Sequence, residues 1–244
     1  MNIASLIFLV VLFVLMPRAA LRTARQLRQA QADGTVPPRA RMAISTMFAL
    51  TVLWLISALN AGAMGSGLFW VANVGLGDVG LGVLAFALLL LAIPISRAIR
   101  SPEEERRRLV VSIAPRNARE FAIYALVAVM AGIAEESAYR GVAVWILTPI
   151  IGNIVPAMLL SATAFAVAHA VQGGKAIVVV FGVAIILHAL VCLTNTLVIA
   201  MLVHTAYDLV AGYAAGRRAQ ALDAQDAART AAGAAGAAGA PAGA

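Results

Sequence analysis

An all-α fold, a polytopic membrane helical bundle of about seven transmembrane helices, follows from three observations on this 244-residue chain. Apolar residues make up 62% of it and charged residues only 12%, whereas soluble domains are about half apolar. The mean hydropathy is +0.93. The apolar residues gather in seven runs separated by polar connectors, most of them near the roughly 20 residues that cross a bilayer.

The first run, residues 2–17 (NIASLIFLVVLFVLMP), is short for a span, and Arg18, Arg22, Arg25 and Arg28 follow it. A signal peptide carries its positive charge before the apolar stretch, so the run reads as an uncleaved anchor with its N-terminus outside. Residues 18–41 form a basic connector ending in Pro37-Pro38. The arginine spacing in its first half suits a helix lying on the lipid surface. Runs 42–64 and 79–99 follow, joined by a Gly-rich loop without Lys or Arg, and a second charged connector covers 100–120. The last four runs are 121–147, 152–170, 176–192 and 195–215. Three regions result: N-terminal helices and basic connectors (1–120), a helical core (121–216), and an Ala/Gly-rich tail (217–244) whose composition predicts disorder.

The net charge of +7 does not signal nucleic acid. Seventeen of the eighteen basic residues are arginine, and they cluster in alternate connectors. This is the positive-inside pattern, which predicts the lipid bilayer as partner and a C-terminus in the cytoplasm. The plasma membrane is the expected location. Cys192, the sole cysteine, sits in an apolar run and reads as a small core residue.

With the connectors set aside, few ionisable groups remain in the runs. They are Glu135, Glu136 and Arg140, then His169, His188, and His204 with Asp208. Each costs about 2.5 to 3.5 kcal/mol at the centre of a spanning helix, so each is a candidate functional residue. Glu136 and Arg140 are four apart and can neutralise one another along one face. Glu135 lies about 100° further round and is left without a partner. His204 and Asp208 share a face, as do Phe165 and His169. Two histidines, a spare glutamate and an aspartate on three separate spans can converge on a pocket that holds and deprotonates a water. His188 has no acidic residue at helical spacing and reads as a packed hydrogen-bonding residue.

EESAYR (135–140), FAVAH (165–169) and HTAYD (204–208) stand in that order, each on a run. Together they resemble the three motifs of the CPBP family, EExxxR, FxxxH and HxxxN/D. That family includes the type II CAAX prenyl endopeptidases and their bacterial relatives, among them bacteriocin-immunity and lysostaphin-resistance-like proteins. The resemblance covers roughly residues 115–215. It implies intramembrane peptide-bond hydrolysis of a membrane-associated substrate, with a C-terminally lipidated one as the family inheritance. By the resemblance, Glu135 activates water with help from His169, and His204 with residue 208 stabilises the oxyanion. Glu136 and Arg140 support the site as an ion pair, and Phe165 packs beneath it. Asp208 stands where the CAAX-processing branch has Asn, and ionised it would orient His204 rather than donate. The set Glu135, His169, His204 and Asp208 also suits Zn²⁺, so a metal-free route and a zinc route both stay open.

Two other classes use the same residues: a proton-coupled transporter, and a non-catalytic scaffold or immunity factor. A spacing argument adds a condition. Counted from residue 121 at 1.5 Å per residue, Glu135 lies deep in the bilayer and His169 near the cytoplasmic end. The two meet only if the fourth helix starts within PRNARE (115–120) or the fifth runs past His169.

Overall fold

The computed structural model describes residues 2–65, 74–106 and 113–238. Parts of the Gly-rich loop (66–73), of the second connector (107–112) and of the tail (239–244) lie outside the described residues. Among the described residues the main helices are α1 (Ile3–Ala32), α2 (Arg39–Ala63), α3 (Leu76–Ala98), the short α4 (Pro102–Arg106), α5 (Ala118–Ile151), α6 (Ile154–Ala168), α7 (Gly174–Thr194) and α8 (Leu197–Ala238). Six of them are long and apolar enough to cross a membrane, and α6 is a shorter apolar helix. No strand occurs among the described residues. The helical membrane bundle predicted from composition is the fold.

Large apolar side chains cover the outside of the bundle, among them Ile44, Phe48, Leu59, Leu126, Val178 and Leu202, each more than 60% exposed. Such a surface suits hydrocarbon, where every backbone polar group is satisfied within a helix. Inside, α5 packs between α2 and α8, α6 packs on α7, and α3 lies against α7 and α8. One buried cluster joins Phe8 and Leu12 of α1 to Leu50, Tyr139 and Phe165. A second joins Leu89 of α3 to Leu187 of α7 and Val203 of α8.

Three segments differ from the sequence-based expectation. The first half of the basic connector is no separate surface helix, because α1 continues through the arginines to Ala32. Nothing breaks it before Gly34, whose φ of +70° no side chain adopts easily. This part packs on α6, and Ala24 is fully buried. The tail continues α8 as helix to Ala238. Alanine favours helix most among the residues, and Ala219 and Leu222 bury against Ala114 while Asp223 pairs with Arg116 at 2.9 Å. Cys192 is exposed, with its thiol 3.4 Å from Met158 Sδ, rather than in the core.

The ends of α5 and α6 decide what meets inside. Asn117 caps α5 by accepting from the Glu120 amide at 2.9 Å, so the helix starts within PRNARE. It ends at Gly152, in the left-handed region at φ +78°, where a glycine avoids the Cβ clash. Asn153 then caps α6 by accepting from the Val155 amide at 2.8 Å. Gly152 lies 17 residues after Glu135 and 17 before His169. The two arms of this antiparallel hairpin are equally long, so both residues fall at one depth. Counting from the hairpin tip resolves the spacing condition.

Candidate active site

Helix α5 changes its winding at the first motif. Residues Glu136–Ala143 form a π-helical segment and all eight are buried. Such segments occur mostly as short insertions at functional positions. The looser turn reorients the backbone, and the Tyr139 carbonyl accepts from Ser161 Oγ of α6 at 2.7 Å. That bond ties the two arms of the hairpin together beside the site.

The adjacent glutamates part company here. Glu136 is fully buried, and its Oε1 lies 3.1 Å from Arg140 Nη1, also fully buried. The guanidinium stands 4.4 Å above the centre of the Phe165 ring, whose negative face offsets part of the cost of burying it. Glu135 makes no such ion pair with Arg140, and its side chain is 15% exposed. The sequence expectation for these residues, an i,i+4 pair with one carboxylate left over, describes this geometry.

Helix α8 brings the third motif alongside. His204 Nδ1 is 2.7 Å from Glu136 Oε1. A carboxylate only accepts, so Nδ1 carries the proton in that bond. Its Nε2 faces Glu135 Oε2 at 3.7 Å and Asp208 Oδ2 at 3.6 Å. Close approach of α8 depends on Gly132, one turn before Glu136. A Cβ there would collide with Thr205 Oγ1 and stand 2.8 Å from the Met201 carbonyl oxygen. Tyr124, also on α5, donates to the Asp208 carbonyl at 3.0 Å and fixes the same contact further along.

Helix α6 ends at the site. His169 Nδ1 is 2.8 Å from the Phe165 carbonyl oxygen, so that nitrogen is the donor, and in the neutral ring Nε2 keeps a lone pair. That lone pair faces Glu135 Oε2 at 4.0 Å. Phe165 packs beneath, its ring 4.4 Å from that of His169 and edge-on to Tyr139. His169 and Asp208 line a cavity of about 1360 Å³ that also reaches Arg39, Arg119 and Arg218. The structure thus gathers Glu135, Glu136, Arg140, Phe165, His169, His204 and Asp208 into one site. His188, buried on α7, makes none of these contacts.

Two contributions had no signal in the sequence. The bond of Glu136 to His204 joins residues 68 apart, which no helical spacing foretells. Gly132 was one small residue among many in an apolar run.

The zinc set fits poorly. Among the described residues no group of three or more His, Cys, Asp or Glu is arranged to hold a metal ion. The donor separations of 3.6, 3.7 and 4.0 Å exceed the roughly 3.3 Å edge of a tetrahedron built at zinc–ligand distances. They suit instead a donor held between acceptors.

Fold and site together define a multi-pass membrane protein with carboxylate and imidazole groups at its centre and a cavity leading to them. Residues 117–210 match the family model for type II CAAX prenyl endopeptidase Rce1-like proteins. The match is consistent with the CPBP resemblance read from the three motifs. It runs from the cap of α5 to just past Asp208 and contains every residue of the site. The matched family is a protease family. No curated protein and no solved structure matches the chain.

Proposed function

We propose that the protein is an intramembrane endopeptidase that hydrolyses a peptide bond in a membrane-associated substrate with a glutamate-activated water. One observation carries this reading: Glu135 Oε2 and His169 Nε2 face each other at 4.0 Å, and with Nδ1 donating to Phe165 a neutral ring presents Nε2 as an acceptor. Two acceptors at that distance are reconciled by a molecule that donates to both, and a water does so with its two O–H groups. The water oxygen then attacks the scissile carbonyl carbon while Glu135 takes its proton. As the C–N bond breaks, the same proton passes to the leaving amine. A positioned base of this kind contributes about 10² to 10⁴ in rate.

His204 meets the other half of the reaction. With Nδ1 bonded to Glu136, its Nε2 points into the space between Glu135 and Asp208. A protonated Nε2 donates to the oxyanion of the tetrahedral intermediate, and Asp208 holds that ring in place. Glu136 and Arg140 fix the ring from behind. No step is routed through a metal.

By the arginine distribution, the cavity opens to the cytoplasm, with the N-terminus outside and the chain in the plasma membrane. Substrates reach the site from that face, and a C-terminal lipid on them would lie in the bilayer beside it. Quantitative membrane proteomics tests the activity in cells carrying Glu135→Gln in place of the wild-type protein. At least one precursor should accumulate uncleaved. Identical profiles in the two strains would reject Glu135 as the base.

A further inference from the structure

The cavity that ends at His169 and Asp208 changes character along its length. Its middle is apolar, with Met42, Ile93, Val127, Val179 and Val183 on the walls. Toward the helix ends its lining carries Arg41, Arg97, Arg119 and Arg218, with Glu105 and Glu120 as the acidic residues among them. Arg39 also lines it but is paired with Glu120 at 3.3 Å. Arg41, Arg119 and Arg218 have no ion-pair partner among the described residues, which include every acidic residue of the chain. A positive-inside bias accounts for arginines on this side of the membrane. It does not account for four of them, contributed by four different transmembrane helices, around one entrance.

We infer that this mouth is a subsite for an anionic segment of the substrate, acidic residues held at the entrance while an apolar stretch fills the cavity below. The inference rests on the proteolytic reading of the site. The electrostatics fix the orientation. Asp208 lines the inner part of the cavity and Glu135 lies across His204 Nε2 from it, so an acidic group is repelled from the reacting bond and attracted to the rim. The helices set the spacing. Arg119 precedes Glu135 by 16 residues of uninterrupted helix, and Arg218 follows Asp208 by ten. At 1.5 Å per residue these are about 24 and 15 Å. An extended chain covers that in about four to seven residues, which places the acidic group that far from the scissile bond.

Three fluorescein-labelled peptides test this, alike in an apolar core and ending in paired glutamates, glutamines or lysines about six residues from its centre. Their binding to the full-length Glu135→Gln protein is followed by anisotropy in nanodiscs of neutral phosphatidylcholine. The glutamate peptide should bind about tenfold more tightly than the glutamine one, and the lysine peptide more weakly still. The preference should fade at high salt and vanish in the Arg41→Gln/Arg119→Gln/Arg218→Gln variant. If that variant does not fold, each single substitution should remove part of the preference. Equal binding of the three peptides, or a preference that survives loss of the arginines, overturns the inference. So does a preference abolished by phosphatidylglycerol in the nanodisc, which would assign the arginines to lipid headgroups. Mass spectrometry of the same peptides incubated with wild-type protein reports cleavage separately, so a failed subsite and a failed protease give different results.

Discussion

His204 and Glu136 are joined by a 2.7 Å hydrogen bond although 68 residues separate them. Glu136 is thus shared between Arg140 on its own helix and an imidazole on another. The ion pair legible in one motif is also the mount for the histidine of a second. This makes the adjacent glutamates opposite in kind, one buried and doubly engaged, the other partly exposed between two imidazoles.

Exchanging each for glutamine should separate the roles. Glu136→Gln leaves the Arg140 charge buried and weakens the hold on His204, and breaking a buried pair costs about 3 to 5 kcal/mol. Its apparent melting temperature in detergent should fall markedly. Glu135→Gln should melt close to wild type and yet cleave nothing. Equal melting of the two variants would contradict this division.

Gly132→Ala tests how α5 and α8 approach one another. The added methyl meets Thr205 and the Met201 carbonyl, and backbone cannot rotate aside. Overpacking of this kind costs about 1 to 3 kcal/mol. Cleavage should fall more steeply than thermal stability, because Thr205 adjoins His204. A variant with wild-type activity would show that the helix contact does not set the site.

Asp208 offers a graded series. Asp208→Asn keeps a polar group in place beside His204 and can donate, so it should retain measurable turnover. Asp208→Leu leaves the ring unsupported, and kcat should drop about a hundredfold, the scale of losing one oxyanion contact. Single-turnover assays on a precursor identified by proteomics would read both. Equal activity in all three proteins would remove Asp208 from the mechanism.

Treatment of purified protein with a strong zinc chelator should leave cleavage intact, and metal analysis should find well under one equivalent of zinc. Activity lost on chelation and restored by zinc would replace the metal-free route with the zinc one.

The bundle was legible because the membrane demands apolar length, and six of the described helices meet that demand. The site was legible because an ionisable side chain in such a run is costly enough to require a reason, which singled out Glu135, His169, His204 and Asp208. The shared depth of Glu135 and His169 was obscured by counting Glu135 from residue 121, whereas α5 starts at Ala118. The start of α5 is blurred by polar residues, whereas Gly152 and Asn153 mark the tip unambiguously. The helical residues 217–238 were missed for another reason: low complexity was taken as lack of structure, while alanine by itself favours helix.

The equal arms on either side of Gly152 act as a ruler. One residue added between Glu135 and the tip would shift the carboxylate by about 1.5 Å along its axis and 100° around it, carrying it away from His169 with every side chain unchanged. Arm length is therefore as much a part of the site as the motifs themselves. A chain that gained a residue in one arm could regain the shared depth only by gaining another across the tip.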